Sequence, residues 1–238
     1  MSEPETVDRP AQAARWLAEA LESGNPLAPL PSTMTPRDMA EGEETALAVL
    51  EELGLIPCGL RLLFRGETRP PLVGPMLEAR LLNPGLPVAL DALRHPRATA
   101  AVVGVLGAPL LPNSDVAPVL AALHAAIDVS ATRFADDPSD DAVVSADLAR
   151  LGLVVVGRAK ALAPGLVRAA LGPKGARRPS LSCNLAARFG EAAQAARRLG
   201  GLPQGAVLVL AGLTAEVAAE GTLAASLGPL GRVEARCA

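Results

Sequence analysis

Chemistry in this chain of 238 residues has few side chains to draw on: two histidines, three cysteines, and 22 basic residues of which only Lys160 and Lys174 are lysines. His95 sits in Arg94-His95-Pro96-Arg97, a cationic corner ahead of an apolar run, where an imidazole can bind an anion or act as a base. A solvated turn histidine between arginines fits the same residues. His124 has apolar neighbours and reads as a core or boundary histidine. Cys58, Cys183 and Cys237 are odd in number, far apart and in no C-x-x-C or zinc spacing, which points to reduced, packed thiols. Glu41, Glu43 and Glu44 read as a solvated helix face. Asp136, Asp137, Asp140 and Asp141 lack the glycine and final glutamate of an EF-hand loop, so they read as a flexible acidic loop over a site. No G-x-G-x-x-G follows a strand, and there is no Walker lysine, G-x-S-x-G or H-E-x-x-H.

Composition narrows the classes further. Half the chain is hydrophobic but only 2% is aromatic, namely Trp16, Phe64, Phe134 and Phe189, so the apolar mass is Ala, Leu and Val. A net charge of −3 with 20% charged residues excludes an acidic disordered chain and a basic nucleic-acid binder. Too few aromatic faces exist for stacking bases. The acidic start, Met1-Ser-Glu-Pro-Glu, has no apolar core of a secretory signal. No apolar run reaches the ~18 residues a membrane span needs, and the expectation is a soluble cytoplasmic protein.

The elements that must position these residues follow from periodicity and punctuation. Ala13, Trp16, Leu17, Ala20 and Leu21 mark a helix over 10–22, stopped by Ser23-Gly24-Asn25-Pro26. A second helix is expected from Thr35-Pro36-Arg37-Asp38, with Thr35 as cap, to about Leu53, ended by Gly54. Apolar runs at 60–64, 88–93, 100–106, 153–156 and 206–213 read as strands. Val116, Val119, Leu120, Leu123 and Ile127 predict a helix over 115–127, and residues 191–199 another. Turns around one short strand are expected between 163 and 179. The expected class is α+β, with a helical N-terminal lobe (1–54) and a β-rich body (55–238) in one unit.

In order and spacing these segments resemble the 2-keto-4-pentenoate hydratase branch of the fumarylacetoacetate hydrolase superfamily over nearly the whole chain. Met34-Thr35-Pro36-Arg37-Asp38-Met39 is similar to the family's L-T-x-x-D-A, and Gly59-Leu60-Arg61-Leu62-Leu63 to G-x-K-I-G. Residues 96–106, from Pro96-Arg97 to Val105-Leu106, are similar to P-R-V-E-A-E-I-A-F-V-L without gaps. Ile127-Asp128-Val129-Ser130-Ala131-Thr132-Arg133 resembles the end of the E-I-V-D-S-R block, Ala146-Asp147-Leu148 resembles A-D-N, and residues 205–214, ending in Gly212-Leu213-Thr214, resemble A-G-x-x-V-L-S-G-x-L-T.

The resemblance implies a β-rich roll of that family and enol chemistry on small 2-oxo or 2-hydroxydienoic acids: hydration, decarboxylation or C–C hydrolysis. It also implies a divalent metal, usually magnesium, held by three carboxylates, which would stabilise a developing enolate. Here the two glutamates of the E-x-E pair fall on Thr99 and Ala101, the third ligand on Asp128, and the family lysine on Arg61. Magnesium is therefore not expected to bind, and the expected cofactor is none. Ala131, Leu148 and Leu210-Ala211 also replace polar positions. Two readings stand. In the first, a lyase-like pocket binds a small 2-oxo or enolic acid through Arg61, Arg97, Arg133, Thr99 and Thr214, with Asp128 or Asp147 as base and His95 as proton carrier. In the second, a non-catalytic pseudoenzyme subunit binds or steadies a partner protein. A homo-oligomer is expected from the resemblance alone.

Overall fold

A computed structural model describes residues 8–238. Among these residues four α-helices, α1 (Arg9–Ser23), α2 (Met39–Glu52), α3 (Asp141–Ala146) and α4 (Leu185–Arg198), punctuate thirteen strands. The strands are β1 (Gly59–Leu63), β2 (Leu72–Met76), β3 (Leu81–Leu82), β4 (Pro87–Val88), β5 (Arg94–Leu106), β6 (Leu120–Thr132), β7 (Leu153–Lys160), β8 (Leu166–Pro173), β9 (Ser180–Asn184), β10 (Val207–Ala211), β11 (Val217–Ala218), β12 (Gly221–Leu227) and β13 (Arg232–Cys237). The class is α+β.

One sheet has the order β2-β1-β10-β5-β6-β7-β3, with β11 paired on β5; a second has the order β4-β13-β12-β8-β9. Most pairs are antiparallel, but β1 runs parallel to β10. Alternation along the central strands divides the apolar side chains between two cores. Leu60, Leu62, Ala98, Ala100, Val102, Leu123, Ala125, Ile127, Leu208 and Leu210 point toward the second sheet and α4. Leu63, Ala101, Val103, Ala126, Val209 and Ala211 point toward α1, α2 and the segment around α3. The central strands are thus covered on both faces, which is why they read as continuous apolar runs. The residues singled out for chemistry lie on the helical face, because Thr99 pairs directly with Asp128, Ala101 with Ala126, and Arg97 with Ser130.

Several sequence expectations are corrected by this arrangement. The helix expected over 115–127 is instead strand β6, which begins at Leu120. Its alanines favour a helix locally, but pairing with β5 on one side and β7 on the other overrides that preference. His124 therefore sits on a strand, its Nδ1 3.0 Å from the Gly157 carbonyl oxygen. Helix α2 is capped by Asp38, which accepts from the Glu41 amide at 2.9 Å, whereas the Thr35 hydroxyl donates back to the Leu30 and Pro31 carbonyls. Helix α4 starts six residues earlier than expected, with Asn184 accepting from the Ala187 amide. The region around 163–179 contributes the eight-residue strand β8, and β9 follows it. Glu43, expected on a solvated face, is buried and paired with Arg198 of α4.

Candidate functional site

On the helical face Arg61 reaches from β1 over β10 and β5 to Asp128 on β6. Its Nε donates to Asp128 Oδ1 and its Nη2 to Oδ2, both at 2.7 Å, so the pair is the forked arrangement that a guanidinium and a carboxylate favour. Nη2 also donates to Ser130 Oγ at 2.8 Å, Nη1 to the Ala149 carbonyl at 2.6 Å, and Ser130 donates to Asp128 Oδ2 at 2.7 Å. Both charged side chains are 0% exposed. Asp128 thus has both oxygens engaged and no solvent contact, and Arg61 offers nothing to a ligand from outside.

The Ala149 carbonyl is delivered by an unusual turn. Leu148, Ala149 and Arg150 all have left-handed backbone, φ 51°, 51° and 59°, and none is glycine. Each such residue costs about 1–2 kcal/mol, so the segment is held by its surroundings and not by local preference. Gly74 of β2 is one of those surroundings: a Cβ there would lie 2.7 Å from the Leu148 carbonyl oxygen and 2.8 Å from the Ala149 Cβ. Just before the turn, Asp147 accepts from Thr132 Oγ1 at 2.6 Å and from Arg133 Nε at 2.5 Å. Arg133 also donates to the Leu151 and Asp147 carbonyls. Asp147 and Arg133 therefore neutralise each other and tie β6 to the turn.

Outside this interior lies a cavity of about 470 Å³. Arg65, Arg69, Arg150, Thr99, Thr214 and Asp141 line it, together with the turn around Gly212 and the loop 137–139. Thr99 is buried; its Oγ1 accepts from the Gly212 amide at 2.9 Å. The Thr214 Oγ1 accepts from the Ala100 amide at 3.0 Å. Among the described residues neither hydroxyl has an acceptor for its own hydrogen, so each retains one donor. Gly212 makes the crossing possible: its φ is 76° and a Cβ would stand 2.0 Å from the Phe64 carbonyl oxygen. Arg65 and Arg69 both bond Asp141, and Arg150 bonds Asp137. The bond from Arg65, together with its charge and that of Arg69, holds the Asp141 carboxyl below the usual aspartate value despite partial burial.

The residues singled out in the sequence separate into four places. Arg61 and Asp128 come together inside, turned toward each other. Thr99 and Thr214 come together at the cavity. Arg133 and Asp147 form their own pair, and His95 and Arg97 are exposed near the start of β5, with His95 Nε2 2.7 Å from the Ala135 carbonyl oxygen. Arg65, Arg69 and Arg150 were not singled out; in a chain with 22 basic residues they carry no distinguishing sequence signal. The acidic loop did carry one, since Asp137 and Asp141 line the cavity.

No family model matches the sequence, and no curated protein matches it. Solved structures do. A 4-oxalocrotonate decarboxylase from Pseudomonas putida G7, complexed with magnesium and adipate, superposes with TM-score 0.81 at 18% identity over 100% of both chains. The same enzyme with calcium and acetate gives 0.79. A 2-hydroxyhepta-2,4-diene-1,7-dioate isomerase from Mycobacterium marinum gives 0.60 at 14% identity over 77% of this chain and 75% of that one. A fumarylpyruvate hydrolase from Pseudomonas aeruginosa, in complex with Mn2+ and pyruvate, gives 0.53 at 15% identity over 79% and 83%.

These complexes correct the expectation of no cofactor, since magnesium, calcium and manganese accompany the fold in the proteins it resembles. The residues to which the sequence resemblance assigns such an ion, Thr99, Ala101 and Asp128, do not fit it by their own chemistry. Asp128 gives both oxygens to Arg61 and Ser130, Thr99 offers a neutral oxygen already bonded to an amide, and Ala101 offers none. Among the described residues no three His, Cys, Asp or Glu side chains are grouped as ligands. Nor is any described helix long and apolar enough to cross a membrane.

Proposed function

We propose that this chain, whose fold is that of the fumarylacetoacetate hydrolase superfamily, binds a small 2-oxo or enolic acid in the cavity beside Thr99 and Thr214. The observation that carries the reading is the pair of threonine hydroxyls whose oxygens are fixed by the Gly212 and Ala100 amides and whose hydrogens remain free. A hydroxyl hydrogen so placed, with its oxygen already fixed by an amide, is best satisfied by donating to an oxygen of a ligand. Arg65, Arg69 and Arg150 stand around them, paired with carboxylates that an incoming anion would displace or share. A volume of about 470 Å³ suits a ligand of the size of a short dicarboxylate.

The interior favours a second reading beside the first, that the chain binds its acid without turning it over. A base must be able to reach a substrate proton, and Asp128 is sealed behind four hydrogen bonds around the Arg61 guanidinium. Asp147 is likewise committed to Arg133 and Thr132.

The test is calorimetric titration with adipate, the ligand of the decarboxylase that shares the fold. Binding to the wild type is expected to weaken at least tenfold in the Thr99→Val, Thr214→Val double variant and to return in the Thr99→Ser, Thr214→Ser variant. Binding that ignores the hydroxyls, or no binding at all, overturns the reading. Incubation with 2-oxoadipate and magnesium, followed by NMR, separates the two forms: recovered acid supports a binder, and product excludes it.

A further inference from the structure

On another part of the surface a second, smaller cavity of about 230 Å³ shares no lining residue with the first. It lies between the C-terminal end of α1, the segment carrying Arg80, the start of β5 and the end of β6, and three arginines face it: Arg80, Arg94 and Arg133. We propose that these three arginines form a binding site for a small oxyanion, the carboxylate or phosphate group of a ligand. Their bonding is uneven. Arg133 is neutralised by Asp147 and spends most of its donors on that residue and nearby carbonyls. Among the described residues Arg94 makes one side-chain hydrogen bond, from Nη2 to the Gly24 carbonyl at 3.2 Å, and no ion pair. Arg80 is half-buried, and among the described residues its guanidinium has neither a hydrogen-bond acceptor nor a carboxylate within 4.0 Å. Among the described residues two positive charges therefore remain unbalanced around one concavity, and the acidic side chain in its lining, Glu22, is exposed and pairs with neither.

Burial lowers the Arg80 pKa below the usual value, and the charge of Arg133 lowers it further. A guanidinium does not solve that problem by losing its proton; it is relieved by an anion. The backbone supplies a device that brings Arg94 to the same place. Arg94 pairs with Thr132 and Arg97 with Ser130, so three steps on β5 match two on β6, and the extra residue is a bulge at His95. His95 takes φ 49° to make it. Without the bulge Arg94 would face the opposite side of the sheet from Thr132; with it, Arg94 stands beside Thr132 and Arg133, against the end of α1. Five donors of Arg80 and four of Arg94 remain unspent there, enough to surround a carboxylate or phosphate.

The test is a thermal-shift and calorimetric titration with inorganic phosphate and, separately, acetate, against chloride at equal ionic strength. Saturable stabilisation is expected in the wild type and in the exposed-surface control Arg168→Gln, with at least a tenfold loss of affinity in Arg80→Gln and in Arg94→Gln. Folding of Arg80→Gln is checked by its melting temperature in chloride, which should not fall, because the substitution removes an unpaired charge. The Thr99→Val, Thr214→Val variant should keep the effect, which separates this site from the other cavity. Whichever anion stabilises identifies the group. A response that Arg80→Gln retains, or none to either anion, overturns the proposal.

Discussion

Arg61 and Asp128 meet through two hydrogen bonds of 2.7 Å at a point where neither side chain has any exposed surface. Such a pair is a weak source of net stability but a strong constraint, because removing one partner strands a buried charge. Arg61→Met or Asp128→Leu alone should therefore lower the unfolding free energy by about 3–5 kcal/mol, while the double replacement should recover most of it. Urea denaturation of the four proteins checks this; a double variant as unstable as the sum of the singles would contradict it.

Asp141 gives the cavity a pH signature. Its carboxyl is held low chiefly by the hydrogen bond from Arg65, so the folded value lies below the unfolded one. The stability this contributes is fully present above the unfolded value near 3.8 and is lost as pH falls through the folded value. The stability gap between wild type and Asp141→Asn should accordingly be constant from neutral pH down to about pH 5 and close below that. Equilibrium unfolding across pH 2–7 reads it; a gap that widens in acid would contradict the pairing.

Gly74 is required by its neighbours. A methyl group there would be pushed against the Leu148 carbonyl and the Ala149 side chain, and the turn that feeds Arg61 has no room to retreat. Gly74→Ala should cost about 1–3 kcal/mol. The same substitution at Gly190 of α4, where a Cβ meets nothing within 4 Å, should be neutral or stabilising. Thermal melts of the two variants make the comparison.

The cysteines should be slow. Burial pushes the thiols of Cys58, Cys183 and Cys237 above their usual value, and only the thiolate attacks a disulfide reagent. In the native protein at pH 8 all three should react with Ellman's reagent at least tenfold more slowly than in urea. Equal rates would show that the native packing around them is loose.

Much of this was written plainly in the sequence. The class, the first two helices and the strands at 60–64 and 100–106 follow from apolar periodicity, because their burial sets the pattern of their residues. Strand β6 did not, because its alanine run satisfies a helix as well as a strand covered on both faces, and only its neighbours decide. At the site, comparison of positions led to Arg61 and Asp128 together, but the direction in which each points depends on the Ala149 carbonyl and Ser130, which no spacing reveals. The cavity arginines were invisible for a statistical reason: a guanidinium at a site and one on open surface are the same letter. The divalent ions of the structural relatives lay beyond this chain's own residues altogether.

The left-handed run Leu148–Ala149–Arg150 touches both halves of the site, since Ala149 bonds Arg61 inside and Arg150 bonds Asp137 at the cavity. Because nothing local favours it, its opening free energy should lie below that of global unfolding. When it opens, it withdraws the carbonyl from the buried guanidinium and the guanidinium from the cavity wall in one event. The local unfolding of three residues thus links the rigidity of the interior to the shape of the surface, and a ligand that holds Arg150 would slow hydrogen exchange deep in the sheet, at amides it never touches.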